Sequence, residues 1–559
     1  MFDSTKEHAI IFNGEIYNFQ SIKKQLQKAG KFFRSTGDTE VLLEAYKYWG
    51  LNFVKKLKGM FVFSIYDRKN SKIYIFRDIS GEKPIYFSYE NKNISFSSEI
   101  KCLLHENPDL KEIDEFSLKK YLAFGFIPGE NSIFKKIKKL ETGSFLTYCL
   151  DEGSLKKNRY WNLPGFQESR NHCSQEELLE ELDLLLKNSV ANQLLADVPV
   201  GIMLSGGLDS SLIALYASKV NKKIKTYNVS FPSYKEFDES YYAKLVSSFI
   251  QSEHTEINAE DISQEILEDF AFYFDEPIAD SSLIPAQVLS KELRKFCKVA
   301  LGGDGGDELF GGYNHYSRLV FIDNFFSIFP KALREKTSRE LGSLMPLGKK
   351  GKNWIEAIGF DLKKRLPNLV SYFEENIQNK ILKKDLSYLN SPLEIEISNM
   401  IVKDKDLIQS LTRTDFKNYL AEDILVKVDR SSMMHSLEVR APFLDKDVIE
   451  FAFKKVPSKL KVNSFSKKIL LKKLGKKLLP ENFNLNRKQG FSIPLNAWLR
   501  KDGRWRNIFE EVLLDDSSIF NKKEVISLFE GQDKGHNNKD RIFNLFAFEK
   551  WKKEFNLQL

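Results

Sequence analysis

The 559-residue sequence has only four cysteines, Cys102, Cys149, Cys173 and Cys297, and none lies in a C-x-x-C spacing. That argues against a zinc knuckle or a disulfide framework and makes a reducing, cytoplasmic compartment the expectation. Seven histidines are scattered with no H-E-x-x-H among them. The N-terminus lacks a basic stretch followed by an apolar one, because Lys6, Glu7 and His8 run straight into the apolar residues 9–12. A secretory signal is therefore not expected. No apolar run reaches the roughly 18 residues of a membrane span. No repeat with a period of about 20–50 residues is visible. Charge of one sign is also scarce: 85 Lys+Arg face 77 Asp+Glu, a balance of +8. Averaged over the chain this is a weak field, and it implies neither a nucleic-acid nor a membrane partner.

What is present is ordinary globular material, 42% apolar and 29% charged. At about 150 residues per domain, two to four domains are expected. Short apolar or alternating runs at residues 9–12, 60–66, 73–76, 85–89 and 94–97 predict packed antiparallel sheets up to about residue 148, with a helical period over 38–49. Residues 151–174 are polar and carry Asp151-Glu152-Gly153 and Pro164-Gly165, the marks of a linker. The expected division is therefore 1–164 and 175–559. A helix over about 175–195 is predicted, capped by Ser174 with Glu177 three residues on. From Val198, strands at 200–204 (apolar), 224–231 and 299–301 (short and buried) alternate with helices, which predicts a doubly wound parallel α/β sheet. After Tyr313 the pattern is mainly helical, and the Lys-rich residues 349–352 read as a solvated loop.

Two glycine-rich turns follow predicted strands. The first is Leu204-Ser205-Gly206-Gly207-Leu208-Asp209-Ser210-Ser211. Bare glycines let backbone N–H groups approach an anion, the following helix adds the positive end of its dipole, and three serines add hydroxyls. No G-K-[ST] follows, so this is not a Walker A loop. Asp209 beside phosphate makes sense with a metal between them, so it is a candidate magnesium ligand. The second turn, Gly302-Gly303-Asp304-Gly305-Gly306-Asp307-Glu308, carries three acids. In a parallel sheet both turns lie at the carboxyl edge, where ligands bind.

These strings resemble the pyrophosphatase loops of the glutamine-hydrolysing asparagine synthetase family. The similarity continues through Asn13-Gly14-Glu15-Ile16-Tyr17-Asn18, Gly37-Asp38-Thr39-Glu40, Arg77-Asp78 and Gly81-Glu82-Lys83-Pro84. It also covers Val428-Asp429-Arg430, Glu438-Val439-Arg440-Ala441-Pro442-Phe443-Leu444-Asp445, Lys467-Lys468-Ile469-Leu470 and Lys488-Gln489-Gly490-Phe491, in the family's order over nearly the whole chain. The resemblance implies an N-terminal glutaminase of the Ntn type (α+β) and a C-terminal synthetase of the ATP-pyrophosphatase type with extra helices. It also implies attack at the α-phosphate of ATP, release of pyrophosphate and an aspartyl-adenylate. Ser205, Gly206, Gly207, Asp209, Ser210 and Ser211 would hold ATP phosphates and Mg2+, with Asp307 as a second metal ligand. Leu204, Val229, Gly302 and Gly303 would border the nucleotide, Gly302 standing where the family often has Ser. Asp304 and Lys467 would be catalytic, Arg440 and Asp445 would wall the substrate pocket, and Asn13, Gly14, Glu15 and Asp38 would bind glutamine. A homodimer is in keeping with the family.

One departure bears on the nitrogen source. The family's glutaminase begins with a Cys, whereas here Met1 is followed by Phe2 and the first Cys is Cys102. The expectation is a chain that begins late, lacks the thiolate nucleophile, does not hydrolyse glutamine and takes free ammonia. Three other functions stay open: amidation of sugar uronates for surface polysaccharides, a non-catalytic nucleotide-binding remnant, and a tRNA-modifying relative. The modest charge and the lack of a basic aromatic stripe count against the last.

Overall fold

The computed structural model describes residues 1–557 apart from 168–172, 231, 233, 235, 237, 259–264, 360–370, 385, 387–398, 405 and 488–492. The Lys488-Gln489-Gly490-Phe491 string falls outside these. In the first part of the chain the strands are β1 (His8–Ile16), β2 (Gly59–Asp67), β3 (Lys72–Arg77), β4 (Tyr86–Glu90), β5 (Asn93–Ser97), β6 (Ile137–Lys139), β7 (Ser144–Cys149) and β8 (Ser154–Arg159). They form two antiparallel sheets, ordered β1-β2-β3-β7-β8 and β5-β4-β6. The helix Asp38–Trp49 lies where its period places it. β1 runs on past the apolar residues 9–12 through Asn13-Gly14-Glu15, in register with Val62, Phe61 and Met60 of β2. The polar composition suggested a break, but the neighbouring strand supplies ladder partners that outweigh it. Gly14 is required there, because a Cβ would sit 2.1 Å from the Met60 carbonyl oxygen.

The second sheet is parallel: β9 (Val200–Met203), β10 (Lys225–Ser230), β11 (Glu253–Asn258), β12 (Val299–Leu301) and β13 (Glu438–Arg440), in the order β11-β10-β9-β12-β13. β11 and β13 are too polar and too short to stand out in the sequence; pairing with β10 and β12 creates them. From β9 the chain winds outward through β10 and β11, and β12 returns to the other side of β9. The crevice between β9 and β12 is therefore the point where the winding direction reverses, and the carboxyl edge of such a crevice is a ligand site. The helix Gln175–Gln193 begins with the expected capping box, Ser174 and Glu177 each bonding the other's backbone N–H.

The two parts share one core. Tyr121 and Leu122 cluster with Phe546, Phe548 and Trp551 of the C-terminal helix Lys539–Glu554, and the Tyr121 hydroxyl donates to the Asn544 carbonyl at 2.7 Å. Buried ion pairs reinforce the joint. A π-helical stretch, Phe416–Ile424, leads into the helix Leu425–Met433. Glu422 meets Arg77 at 3.3 Å and Lys139 at 2.9 Å, Asp429 meets Lys83 at 2.7 Å, and Arg430 meets Asp275 at 2.6 Å. The spacing Glu422, Asp429, Arg430 puts these groups on one helix face. Buried charges of this kind add little net stability while paired, but removing one partner strands the other. Glu422→Ala leaves two buried cations without it, and is expected to cost about 3–5 kcal/mol, read as a lowered urea midpoint. Glu335→Ala, at the exposed pair with Lys331 (3.5 Å), should cost under about 1 kcal/mol in the same assay.

Candidate active site

β9 delivers the first glycine-rich loop. Leu204 is buried, and its N–H donates to the Tyr227 carbonyl of β10 at 2.7 Å. Gly206 has φ +74, and a Cβ there would lie 2.6 Å from Tyr242 Cβ, so only glycine fits the turn. Gly207 is the N-cap of the helix Leu208–Val220, with no side chain capping its first N–H groups. Those donors and the helix dipole remain available to an anion. Ser205 Oγ and Ser210 Oγ are 3.1 Å apart, and the Gly207 N–H donates to Ser205 Oγ at 3.3 Å. Val229 stands at the carboxyl end of β10, two residues beyond Tyr227.

β12 delivers the second loop, whose Gly302 N–H donates to the Arg440 carbonyl at 2.9 Å. The loops are packed as closely as glycine allows. A Cβ on Gly303 would meet the Ser210 nitrogen at 3.0 Å, and one on Gly306 would meet the Asp209 carboxyl carbon at 2.8 Å. The sequence-assigned phosphate and metal residues are thus together in the structure. Asp304 is partly buried, and desolvation raises its pKa against the opposing charge of Lys427. Lys427 itself donates to Asp280 at 2.7 Å and to Ser282 Oγ at 2.8 Å. Burial and then the adjacent Asp307 push Glu308 upward, and Tyr313 donates its hydroxyl to the Glu308 carboxylate.

The lysine between the two loops is Lys468. Its ammonium bonds Asp209 and lies 2.6 Å from Asp307 Oδ1. Burial opposes its charge, but the two carboxylates hold its pKa above the usual lysine value. Lys467 instead points its Nζ at the Asn314 side-chain oxygen. Lys468 has φ +49, a left-handed conformation that turns the chain by one residue just before the helix Ile469–Leu478. Gly312 makes room: a Cβ there would sit 2.2 Å from Lys468 Cε and 1.7 Å from Asp307 Oδ1. Two carboxylates converging on one positive atom are a donor set that suits Mg2+. Among the described residues no group of three or more His, Cys, Asp or Glu could hold a metal ion. A divalent ion here would therefore share its coordination with substrate phosphates, the usual arrangement for Mg2+.

Asn13, Gly14, Glu15 and Asp38 are also brought together. The first three follow one another on β1, and Asp38 accepts the Ile16 N–H at 3.1 Å. The Asn13 amide donates to Ser98 Oγ at 3.3 Å. Arg440 and Asp445 sit at the joint between the two parts of the chain. Arg440 donates to the Gln193 and Leu195 carbonyls, each at 2.8 Å, and lies 3.5 Å from Glu15. Asp445 accepts the Asp447 N–H at 2.9 Å as the cap of the helix Lys446–Lys454 and is 3.8 Å from Lys58. Arg440 thus spans from Glu15 to the Gly302 loop. Lys468, Lys427 and Glu82 join the site although sequence pattern alone gives them no role. The Lys467-Lys468 doublet was a signal for the first. Glu82 is buried in the other half of the chain, and burial, then the charges of Asp78 and Asp304, raise its pKa against the Ser80 hydroxyl and Lys83.

Comparison with known proteins places these features in a family context. Residues 181–553 match the asparagine synthase family, and residues 1–161 match the glutamine amidotransferase domain family. Asparagine synthetase [glutamine-hydrolyzing] 1 of Bacillus subtilis is 34% identical over 551 residues, covering 97% of this chain and 85% of the relative. A putative asparagine synthetase [glutamine-hydrolyzing] 2 of Methanocaldococcus jannaschii is 34% identical over 76% of this chain and 81% of its own. A putative asparagine synthetase [glutamine-hydrolyzing] of Mycobacterium bovis is 30% identical over 89% of this chain and 76% of its own.

Burial, together with Asp38, Glu438 and Asp197, outweighs Arg440 and raises Glu15 from 4.5 to about 7. Between those values the folded protein holds a proton on Glu15 that the unfolded chain has released. Its contribution to stability is thus full below about 4.5 and fades as pH rises through 7. Melting temperatures of wild type and Glu15→Gln are expected to show this directly, the wild-type advantage shrinking as pH rises from about 5 to about 8. Gly312→Ala is expected to lower the melting temperature at every pH, because its new methyl overlaps Asp307 and Lys468.

Proposed function

The chain belongs to the asparagine synthase family of carbon–nitrogen ligases, and from that premise we propose that it activates aspartate with ATP and amidates the resulting adenylate. The observation that carries this is the pair of glycine-lined loops at the sheet's reversal point, with Asp209 and Asp307 converging on Lys468. The triphosphate lies along residues 204–211 and 302–306, its oxygens met by backbone N–H groups, the hydroxyls of Ser205 and Ser210, and the helix dipole. Mg2+, when bound with the nucleotide, offsets the charge of the departing pyrophosphate. The aspartate side-chain carboxylate attacks the α-phosphorus and the α–β bridging bond breaks, releasing pyrophosphate. Lys468 supplies positive charge to the phosphate oxygens as that bond opens. Fixed charge placed in this way before reaction is commonly the largest catalytic contribution.

Ammonia then attacks the acyl carbon of the adenylate. The C–O bond breaks, AMP leaves with its electron pair, and asparagine forms after loss of a proton. Asp304, partly buried beside the loops with Lys427 near it, is suited to orient the amine and accept that proton. The nitrogen is ammonia, supplied free or released from glutamine by the N-terminal half, which matches the glutamine amidotransferase domain family. The grip formed by Asn13, Gly14, Glu15 and Asp38 would bind glutamine.

The test is exchange of labelled pyrophosphate into ATP. Exchange is expected to need aspartate and to be absent with nucleotide-sugar uronates. The reverse pattern makes the acceptor a uronate, and no exchange with either acid removes the enzymatic reading. Lys468→Met is expected to slow aspartate-dependent exchange about 100- to 1,000-fold. Lys467→Met, which loses a contact with Asn314, should change it by less than about tenfold. Equal losses in the two variants would return the catalytic role to both lysines. With ATP and aspartate, ammonium chloride should yield asparagine and AMP in equal amounts; AMP formed without asparagine overturns the amidation step.

A further inference from the structure

The weak overall charge of the chain hides a strongly basic segment. Residues 318–352 contain eight Lys or Arg and three Asp or Glu, a balance of +5 against +8 for the whole chain. This segment is also where apolar side chains stand in solvent. The helix Asn314–Phe326 buries Tyr316, Leu319 and Ile322 against Leu407, Ile408 and Leu411. Its other face presents Phe321 and Phe325, exposed, with ring centroids 4.5 Å apart. A helix that is apolar on both faces needs a partner for each. The following turn carries Ile328, 80% exposed, and Phe329. The helix Lys331–Ser343 turns Ser338 and Gly342 inward and Leu333 and Leu341 outward, and Leu344 just beyond it is 81% exposed. Lys349 and Lys350, on the loop that the sequence alone marked only as solvated, are exposed immediately afterwards. The Ser464 hydroxyl accepts the Asn324 amide at 3.2 Å, which brings the 88% exposed Phe465 to the edge of the same face.

We propose that this face docks the protein, peripherally and reversibly, on an anionic lipid surface. Aromatic and aliphatic side chains flanked by Lys and Arg suit the boundary between headgroups and acyl chains, where both contributions are satisfied at once. No helix among the described residues is long and apolar enough to cross a membrane, so the contact is a surface one. A second copy of the chain fits poorly, because a two-fold axis through the patch would set one basic segment against the other. RNA fits poorly too, since Ile328, Leu333, Leu341 and Leu344 offer no stacking surface for bases. The expectation of no membrane partner came from a charge averaged over 559 residues, and averaging conceals a local field.

The test is co-sedimentation of the full chain with phosphatidylcholine vesicles, with and without phosphatidylglycerol. Binding is expected to be at least about tenfold stronger to the anionic vesicles and to weaken with added salt. Ile328→Glu combined with Leu344→Glu, and separately Lys349→Glu combined with Lys350→Glu, should each weaken it about tenfold or more. Melting temperatures and pyrophosphate exchange should stay at wild-type values, showing that the fold and the active site are intact. Absent or charge-independent vesicle binding overturns the proposal. So does binding that both variants retain. A dimer in sedimentation velocity that both variants dissolve, or homopolymeric RNA that displaces the protein from vesicles, assigns the face to another occupant and overturns it equally.

Discussion

A single buried ammonium organises the C-terminal half. Lys468 lies between Asp209, which follows β9, and Asp307, which follows β12. Without a cation between them, two carboxylates this close inside the protein would repel, and one would take up a proton. The surrounding glycines exist to permit that arrangement. Gly303 and Gly306 let one loop rest on the other, and Gly312 leaves the space that Lys468 and Asp307 occupy. The strand order places both loops at one crevice, so the sheet topology, the glycines and the lysine form a single constraint.

The second organising feature is the joint between the halves. Glu422, Asp429 and Arg430 turn one helix face toward Arg77, Lys83, Lys139 and Asp275. Arg440 adds a direct span from Glu15 on β1 to the carbonyl that receives the Gly302 N–H. Such charges specify one mating geometry more than they stabilise it, because desolvation offsets most of their attraction. The shared core of Tyr121 with Phe548 and Trp551 supplies the apolar part of the same contact. The amidotransferase-like half and the synthetase half are thus joined directly, with Glu15 of one tied through Arg440 to the Gly302 loop of the other.

Much of this was legible beforehand, for identifiable reasons. The helix Asp38–Trp49 and the capping box of Ser174 and Glu177 depend on neighbours in sequence, and both lie where local pattern puts them. β9 and β12 are apolar because both faces of a parallel sheet are covered, which leaves a mark in composition. β13 is Glu438-Val439-Arg440, and its strand character comes only from pairing with β12. Asn13-Gly14-Glu15 has the composition of a turn, and β2 holds it extended.

The sequence by itself determined the chemistry: two glycine-rich loops after apolar strands, the acids Asp209, Asp304 and Asp307, and a nearby pair of lysines. These are local strings, and phosphate binding by backbone N–H groups needs only a local string. Tertiary structure alone decided which lysine lies between Asp209 and Asp307. Lys467 and Lys468 are equivalent in composition, and only a left-handed residue at 468, accommodated by Gly312 from a distant part of the chain, turns the second one inward. It also decided that Arg440 bridges the two halves, because that requires Glu15, Gln193 and Leu195 to meet at one place from three separate segments. Contacts between residues hundreds of positions apart leave no periodicity in a sequence, and they exist only once packing has brought the segments together.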